Sequence, residues 1–410
     1  MTDNQTKLLL VPCSGEETTD LAQEIFKILQ KDYGMEQQIE ILDSFRRKDI
    51  NKDTIKDNRH PLVSDYFSDL EVQVDVGRNR LKDIIRGKHV ALVEHLLTPN
   101  RLVGEDETQI VGVNDHIMTV RGFLDDISKV DTLKKTLVAP YLSYVRSHSI
   151  EKYEERGFFQ FDSLRKTLSD YKGDKLNSLI TIDPHSIKSA QIAENMGLEF
   201  HAINPFQSGR AIVPYKLGLS GGKAKKIFKK LRPFQEKFAN LRKRNKRNNV
   251  YCVSVDDGTE KRTENFMERA YPDLEPEELY SMIAFLDKDR VSYGNSLAAF
   301  KHFSQINENN IDKEGTYVII DDMFVSARTA NDVSKILKQL GANRVEVWTS
   351  HPVTSLKQHK TANDRTYIDH VVCLDTIPQS PDLNIEYINA SADLLAAELY
   401  KSHQKLVASR

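Results

Sequence analysis

The feature that most constrains this chain is a regular exchange of short aliphatic runs with segments of helical period. Residues 7–12, 89–93, 136–141, 178–182, 250–255, 316–320, 344–348 and 370–374 are apolar stretches of strand length. Residues 19–29, 117–130, 161–170, 186–196 and 330–340 instead repeat their apolar side chains at steps of three and four, as Leu21, Ile25, Phe26 and Leu29 do in the first of them. A strand that returns through a helix lies parallel to its predecessor, and its sheet is covered by helices on both faces. The expected class is therefore α/β, with mainly parallel sheets flanked by helices. At 410 residues the chain has room for two or three domains. The stretch 207–222, rich in Gly, Ser and Pro, separates two series of strand and helix units and sets the expected domains at 1–207 and 208–410. Residues 35–65 and 97–112 are polar and weakly periodic, and read as surface insertions of the first domain.

The net charge of -2 leaves no overall footprint for a polyanion, so any anion site must be local. The dense basic stretch 223–247 carries Ile227, Leu231, Phe234, Phe238 and Leu241 at helical spacing, which describes an amphipathic helix. Its cations serve either as a solvated face or as an anion or partner contact. Nucleic-acid binding is disfavoured, because the aromatic residues of that stretch are needed inside. No window reaches the roughly 20 apolar residues of a membrane span, and the polar start lacks the apolar core of a secretory signal. The expected location is the cytoplasm. Cys13, Cys252 and Cys373 are too scattered for a disulfide framework or a zinc site, and read as buried small hydrophobes.

Three aliphatic runs end in carboxylates: Ile182 into Asp183, Val255 into Asp256, and Ile320 into Asp321 and Asp322. In parallel sheets ligands bind at that edge, although a single strand-end Asp serves equally well as a helix cap. The segment 316–340 goes further. Two adjacent carboxylates can accept both hydroxyl protons of a vicinal diol, while the loop 323–328 and the helix after Thr329 can hold a phosphate dianion. A sugar phosphate meets both demands.

The run 318–329 resembles the phosphoribosyl-pyrophosphate loop of type I phosphoribosyltransferases, and Asp321-Asp322-Met323 has the form typical of ribose-phosphate pyrophosphokinases, or PRPP synthetases. Residues 7–25 are similar to that family's first strand and helix, and 67–74 to its Phe-Ser-Asp-Gly-Glu-Ile-Gln-Val segment. Residues 86–93 and 113–127 continue in register, 140–146 resembles Pro-Tyr-Phe-Gly-Tyr-Ala-Arg, and 181–185 resembles Thr-Val-Asp-Leu-His. In the second half 254–262 is similar to Ser-Pro-Asp-Ala-Gly-Gly-Val-Lys-Arg, 287–290 to Asp-Lys-Arg-Arg, and Asp375-Thr376-Ile377-Pro378 matches outright. The resemblance spans nearly the whole chain apart from the two insertions and the basic helix.

What the resemblance implies is two tandem phosphoribosyltransferase-like domains, the first on the ATP side and the second on the ribose 5-phosphate side. The activity implied is transfer of the diphosphate of ATP to the anomeric hydroxyl of ribose 5-phosphate, leaving AMP, with Mg2+. Lys288 and Arg290 would be catalytic, closing over the migrating group. Phe67, Asp69, Glu71 and Arg146 would bind ATP, the first three reaching it from a neighbouring subunit, so that the active species is a dimer-based homo-oligomer with a hexamer among its forms. Asp321, Asp322, Ser326, Ala327, Arg328 and Thr329 would hold ribose 5-phosphate, and His185 and Asp256 the metal. Taken by themselves, His185 reads as a turn histidine, Phe67 as a core residue and the two loop cations as solvated.

Several positions depart from the family pattern. Val325 stands in place of a third acid, Arg328 in place of a glycine in the phosphate loop, Ser147 and His148 in place of Gln-Asp, and Thr259 in place of a glycine. These departures keep a second reading open, a non-catalytic homologue that binds nucleotide or an active synthetase. A phosphoribosyltransferase that consumes the sugar diphosphate fits less well, since it normally needs only one such domain.

Overall fold

The computed structural model describes residues 6–42, 44–45, 62–66, 71–76, 83–99, 102–103, 109–145, 162–207, 221–245, 249–255, 257–287, 300–354 and 362–410. They form two compact units, Met1–Ile203 with Ser391–Arg410, and Asn204–Ala390.

The first unit opens with β1 (Leu8–Pro12), α1 (Gly15–Tyr33) and β2 (Ile39–Ile41). Helix α1 stops where Gly34 takes a left-handed φ of 70° and donates its N–H to Gln30 O while the Met35 N–H donates to Leu29 O, an ending that a side chain would strain. There follow β3 (Ser44–Phe45), β4 (Leu62–Tyr66) and β5 (Val72–Val76), which pair in a small separate sheet, then β6 (His89–Val93) and the hairpin of β7 (Leu102–Val103) with β8 (Gln109–Ile110). After α2 (Val113–Ser128) the unit continues through β9 (Lys134–Ala139), α3 (Ser163–Gly173), β10 (Ser178–Ile182), α4 (Ile187–Asn195) and β11 (Glu199–Ile203). The main sheet has the order β11-β10-β9-β6-β1-β2 and every pairing in it is parallel. Strands β1, β6, β9 and β10 are buried along their whole length, which explains why they read as unbroken aliphatic runs rather than alternating ones.

The second unit contains α5 (Gly221–Lys230), α6 (Pro233–Arg244), β12 (Val250–Ser254), α7 (Asp257–Ala270), α8 (Pro276–Tyr280), β13 (Ile283–Phe285), β14 (Thr316–Met323), α9 (Arg328–Gln339), β15 (Arg344–His351), β16 (His370–Leu374) and β17 (Glu386–Ile388). Its sheet, β13-β12-β14-β15-β16-β17, is parallel throughout. The two sheets are wound alike. In each the first strand leads through a helix to the strand on one side of it, and the third strand then starts on the other side and the order grows outwards.

The chain's last helix, α10 (Ser391–Ala408), packs in the first unit, against α1, β10 and β11, whereas sequence order alone assigns residues 391–410 to the second half. The basic stretch is two helices, not one, because Pro233 opens α6 after a break at Leu231 and Arg232. Phe234 and Phe238 of α6 are buried against Trp348 and Phe266. Several of its cations have partners in their own unit: Arg242 lies 3.8 Å over the Tyr271 ring, Arg232 lies 5.0 Å over Phe228, and Lys237 pairs with Glu386 at 2.7 Å. All three cysteines are buried and unpaired. Among the described residues no helix is long and apolar enough to cross a membrane.

Candidate functional site

In the second unit the winding reverses between β12 and β14, so the connections leaving their C-terminal ends diverge and open a crevice at that edge. Strand β14 delivers the acids there. It is fully buried from Thr316 to Ile320, then Asp321 is part-covered and Asp322 is 6% exposed. The Asp322 N–H donates to Asp321 Oδ1 at 2.8 Å. Burial and the neighbouring Asp322 charge push the Asp321 carboxyl well above the usual carboxylate range, opposed by the positive charge of Arg262 on α7. Such a pair gains from any ligand that offers it hydroxyl protons.

The loop after β14 is tied down at its carbonyl side. Phe324 N–H donates to His351 O at 2.8 Å, and Thr354 Oγ1 is 3.2 Å from Phe324 O and 3.0 Å from Val325 O. The Phe324 ring is buried beneath the Arg365 guanidinium at 5.7 Å. The loop then enters α9 through Ala327, whose φ of 59° is left-handed and rare for any residue but glycine. The Ala327 side chain cannot cap, so the first N–H groups of α9, beginning at Arg328 and Thr329, have no side-chain cap and face outward with the positive end of the helix dipole. Arg328 itself is exposed and has no left-handed angle. An arginine in place of the family's glycine therefore leaves the loop's backbone unrestricted, because the left-handed angle falls one residue earlier.

Thr259 closes the other wall. Its Oγ1 accepts from Val255 N–H at 3.0 Å and lies 3.0 Å from Ser254 Oγ, fastening the first turn of α7 to the end of β12. At 5% exposure it is a structural tie, which is why a side chain is tolerated where the family pattern has glycine. One turn further on lies Arg262, whose positive charge favours the ionised form of Asp321.

In the first unit His185 is exposed, between Pro184 and the Ser186 cap of α4. It follows Asp183, which is 3% exposed, donates its N–H to Ile203 O at 2.8 Å and holds a φ of 40°. A strained non-glycine angle at a strand exit is a feature that clusters at functional sites. Glu71 is exposed just before β5. Phe67, Asp69, Arg146, Asp256, Lys288 and Arg290 lie outside the described residues. Chain contiguity thus brings Asp321, Asp322, Ser326, Ala327, Arg328 and Thr329 together. Among the described residues no group of three or more His, Cys, Asp or Glu forms a metal cluster. Sequence reasoning passed over Thr354, which pins the loop, and Glu94 with His116. A polar residue at a strand exit, as Glu94 is after β6, was the available signal.

No protein-family model matches the chain. Curated relatives do. It is 23% identical over 344 residues to ribose-phosphate pyrophosphokinase 1 of Streptococcus pyogenes serotype M1, covering 83% of this chain and 85% of the relative. It is 24% identical over 318 residues to the ribose-phosphate pyrophosphokinase of Ralstonia nicotianae, covering 77% and 78%. A shorter alignment, 38% over 66 residues, joins it to the Shewanella oneidensis enzyme of the same name, across 16% of this chain and 21% of that one. Among solved structures, phosphoribosylpyrophosphate synthetase from Mycobacterium smegmatis shares the fold at a TM-score of 0.60 and 15% identity, covering 98% of this chain and 100% of that one.

Proposed function

We propose that this chain, a member of the ribose-phosphate pyrophosphokinase family, transfers the diphosphate group of ATP to the anomeric hydroxyl of ribose 5-phosphate, giving phosphoribosyl diphosphate and AMP. The observation that carries the reading is the acidic pair Asp321 and Asp322 at the reversal point of a parallel sheet, followed by a tied loop and an uncapped helix start. The two carboxyls suit the pentose diol. The N–H groups at the start of α9, with Ser326, Thr329 and the Arg328 guanidinium, suit its phosphate.

The reaction joins the anomeric oxygen to the β-phosphorus of ATP and breaks the bond from that phosphorus to the oxygen shared with the α-phosphorus. Alignment and charge neutralisation are most of what it needs from a protein. Lys288 and Arg290 are our candidates for neutralising the migrating diphosphate, and Phe67, Asp69, Glu71 and Arg146 for holding ATP. The hydroxyl and phosphate substrates call for a hard cation, and Mg2+ would enter on the ATP phosphates with most of its waters. His185, which is exposed, and Asp256 are its proposed protein contacts. A homo-oligomer that shares the ATP site between subunits follows from the same assignment. Three unpaired buried thiols agree with a reducing compartment such as the cytoplasm.

Incubation with ATP, Mg2+ and ribose 5-phosphate should yield AMP and phosphoribosyl diphosphate in equal amounts. The Asp322→Asn protein should need at least about tenfold more ribose 5-phosphate for the same rate, the loss of about 1.4 kcal/mol of sugar binding. No AMP over a wide range of both substrates would reject the reading in favour of a non-catalytic homologue.

A further inference from the structure

The sheet of the first unit reverses its winding between β1 and β6, as the other sheet does between β12 and β14. Where the second unit carries Asp321 and Asp322, the first carries Glu94, immediately after β6 and 0% exposed. This carboxylate is closed to ligands and used internally. Ser14 Oγ donates to Glu94 Oε1 at 2.5 Å, and His116 Nδ1 on α2 lies 2.6 Å from the same oxygen. Facing a carboxylate oxygen, Nδ1 must be the donor, which leaves Nε2 to meet Thr98 Oγ1 at 2.7 Å. Ser14, Glu94, Thr98 and His116 are all 3% exposed or less. Glu94 Oε2 has no hydrogen-bond partner among the described residues, so the bonding of this group is concentrated on the oxygen that faces Ser14 and His116.

The chain on either side of this pair meets both segments that carry the proposed ATP contacts, one through hydrogen bonds and the other through packing. Ser143 Oγ donates to Leu96 O at 2.8 Å, and Tyr144 OH donates to Asn114 Oδ1 of α2 at 2.5 Å. Tyr144 holds a left-handed φ of 62°, an angle that persists only where surrounding contacts impose it, and it stands two residues before Arg146. On the next turns of α2, Gly122 admits Val74 of β5 so closely that a Cβ there would sit 2.8 Å from Val74 Cγ2. Glu71 immediately precedes β5. One helix therefore seats the segment before Arg146 and the strand after Glu71.

We infer that Glu94 and His116 form a buried positioning pair that locks the N-terminal turn of α2 to the end of β6 and so sets the nucleotide contacts of the first unit. The inference rests on the function proposed above. Its test uses the full chain. Glu94→Leu removes the shared acceptor and should raise KM for ATP about tenfold, with kcat and KM for ribose 5-phosphate held within about twofold. Glu94→Gln keeps an acceptor oxygen and should recover most of the loss. Calorimetric titration with ATP alone should report the same weakening without turnover. A parent protein that binds ATP but forms no AMP would thus reject the diphosphokinase reading, while a loss of ATP affinity in Glu94→Leu would still uphold the positioning role. If Glu94→Leu does not fold, His116→Phe, which keeps an aromatic side chain and removes both bonds, carries the same expected split. A folded variant with parental ATP affinity, or with equal losses towards both substrates, overturns the inference.

Discussion

At the scale of single residues, the loop proposed to hold the sugar phosphate turns on Ala327. A left-handed angle costs a non-glycine residue roughly 1–2 kcal/mol, offset in part by the extra chain entropy glycine brings to the unfolded state. Ala327→Gly should therefore stabilise the second unit by up to about 1 kcal/mol in urea denaturation, whereas Ala327→Val, branched at Cβ, should destabilise it by more than that. The carboxylates of this loop were legible in the sequence because their type and their place at a strand end carry the chemistry. The backbone angle was not, since it is imposed by contacts distant in sequence: Thr354 holding the Phe324 and Val325 carbonyls, and His351 holding the Phe324 N–H. Neither leaves a local pattern. Arg328 shows the same limit, for its identity flagged a departure while its exposed place at the start of α9, which fits the proposed phosphate contact, was not readable from it.

At the scale of elements, α10 meets its sheet partly through polar groups. His403 Nδ1 lies 3.2 Å from His89 Nδ1, and His89 Nε2 lies 2.8 Å from Thr136 Oγ1. Lys134 bonds Ser402 at 3.0 Å and Glu199 at 2.7 Å, while His201 reaches Glu398 at 3.0 Å. Two ring nitrogens in contact cannot both carry protons. Burial holds His403 down to about 4 from an ordinary 6.5, against a raising contact from the Thr6 backbone. Burial, then the His403 and Lys134 charges, holds His89 well below its ordinary value. A histidine depressed in the folded state binds its proton more readily when unfolded, so its contribution is complete above the unfolded value and shrinks on acidification. The first unit should thus lose thermal stability as pH falls from about 6.5 towards 4, and His403→Gln should flatten that slope in melting curves taken across the window. None of this seam was legible beforehand. Strand β6 showed as an aliphatic run, but which helix would lie over its histidine depends on contacts 314 residues apart.

For the whole molecule, alternation in the sequence predicted parallel sheets under helices, and this is what the structure has. Strand order, the repeated winding and the return of the last helix had no local trace, because each is decided by which surfaces meet after long stretches of chain. Leu394, Leu395 and Leu399 of α10 are fully buried, and each such burial contributes about 1.5–3 kcal/mol. Removing residues 391–410 should therefore unfold or severely weaken the first unit. Calorimetry should show its transition lost or lowered, with the transition of the second unit, which those residues do not complete, left in place. The same arrangement orders events during synthesis. Every residue of Asn204–Ala390 has been translated before the first residue of α10 exists, so the earlier unit cannot complete its core until synthesis is all but over, and until then its histidine-bearing sheet face stays uncovered and open to chaperones.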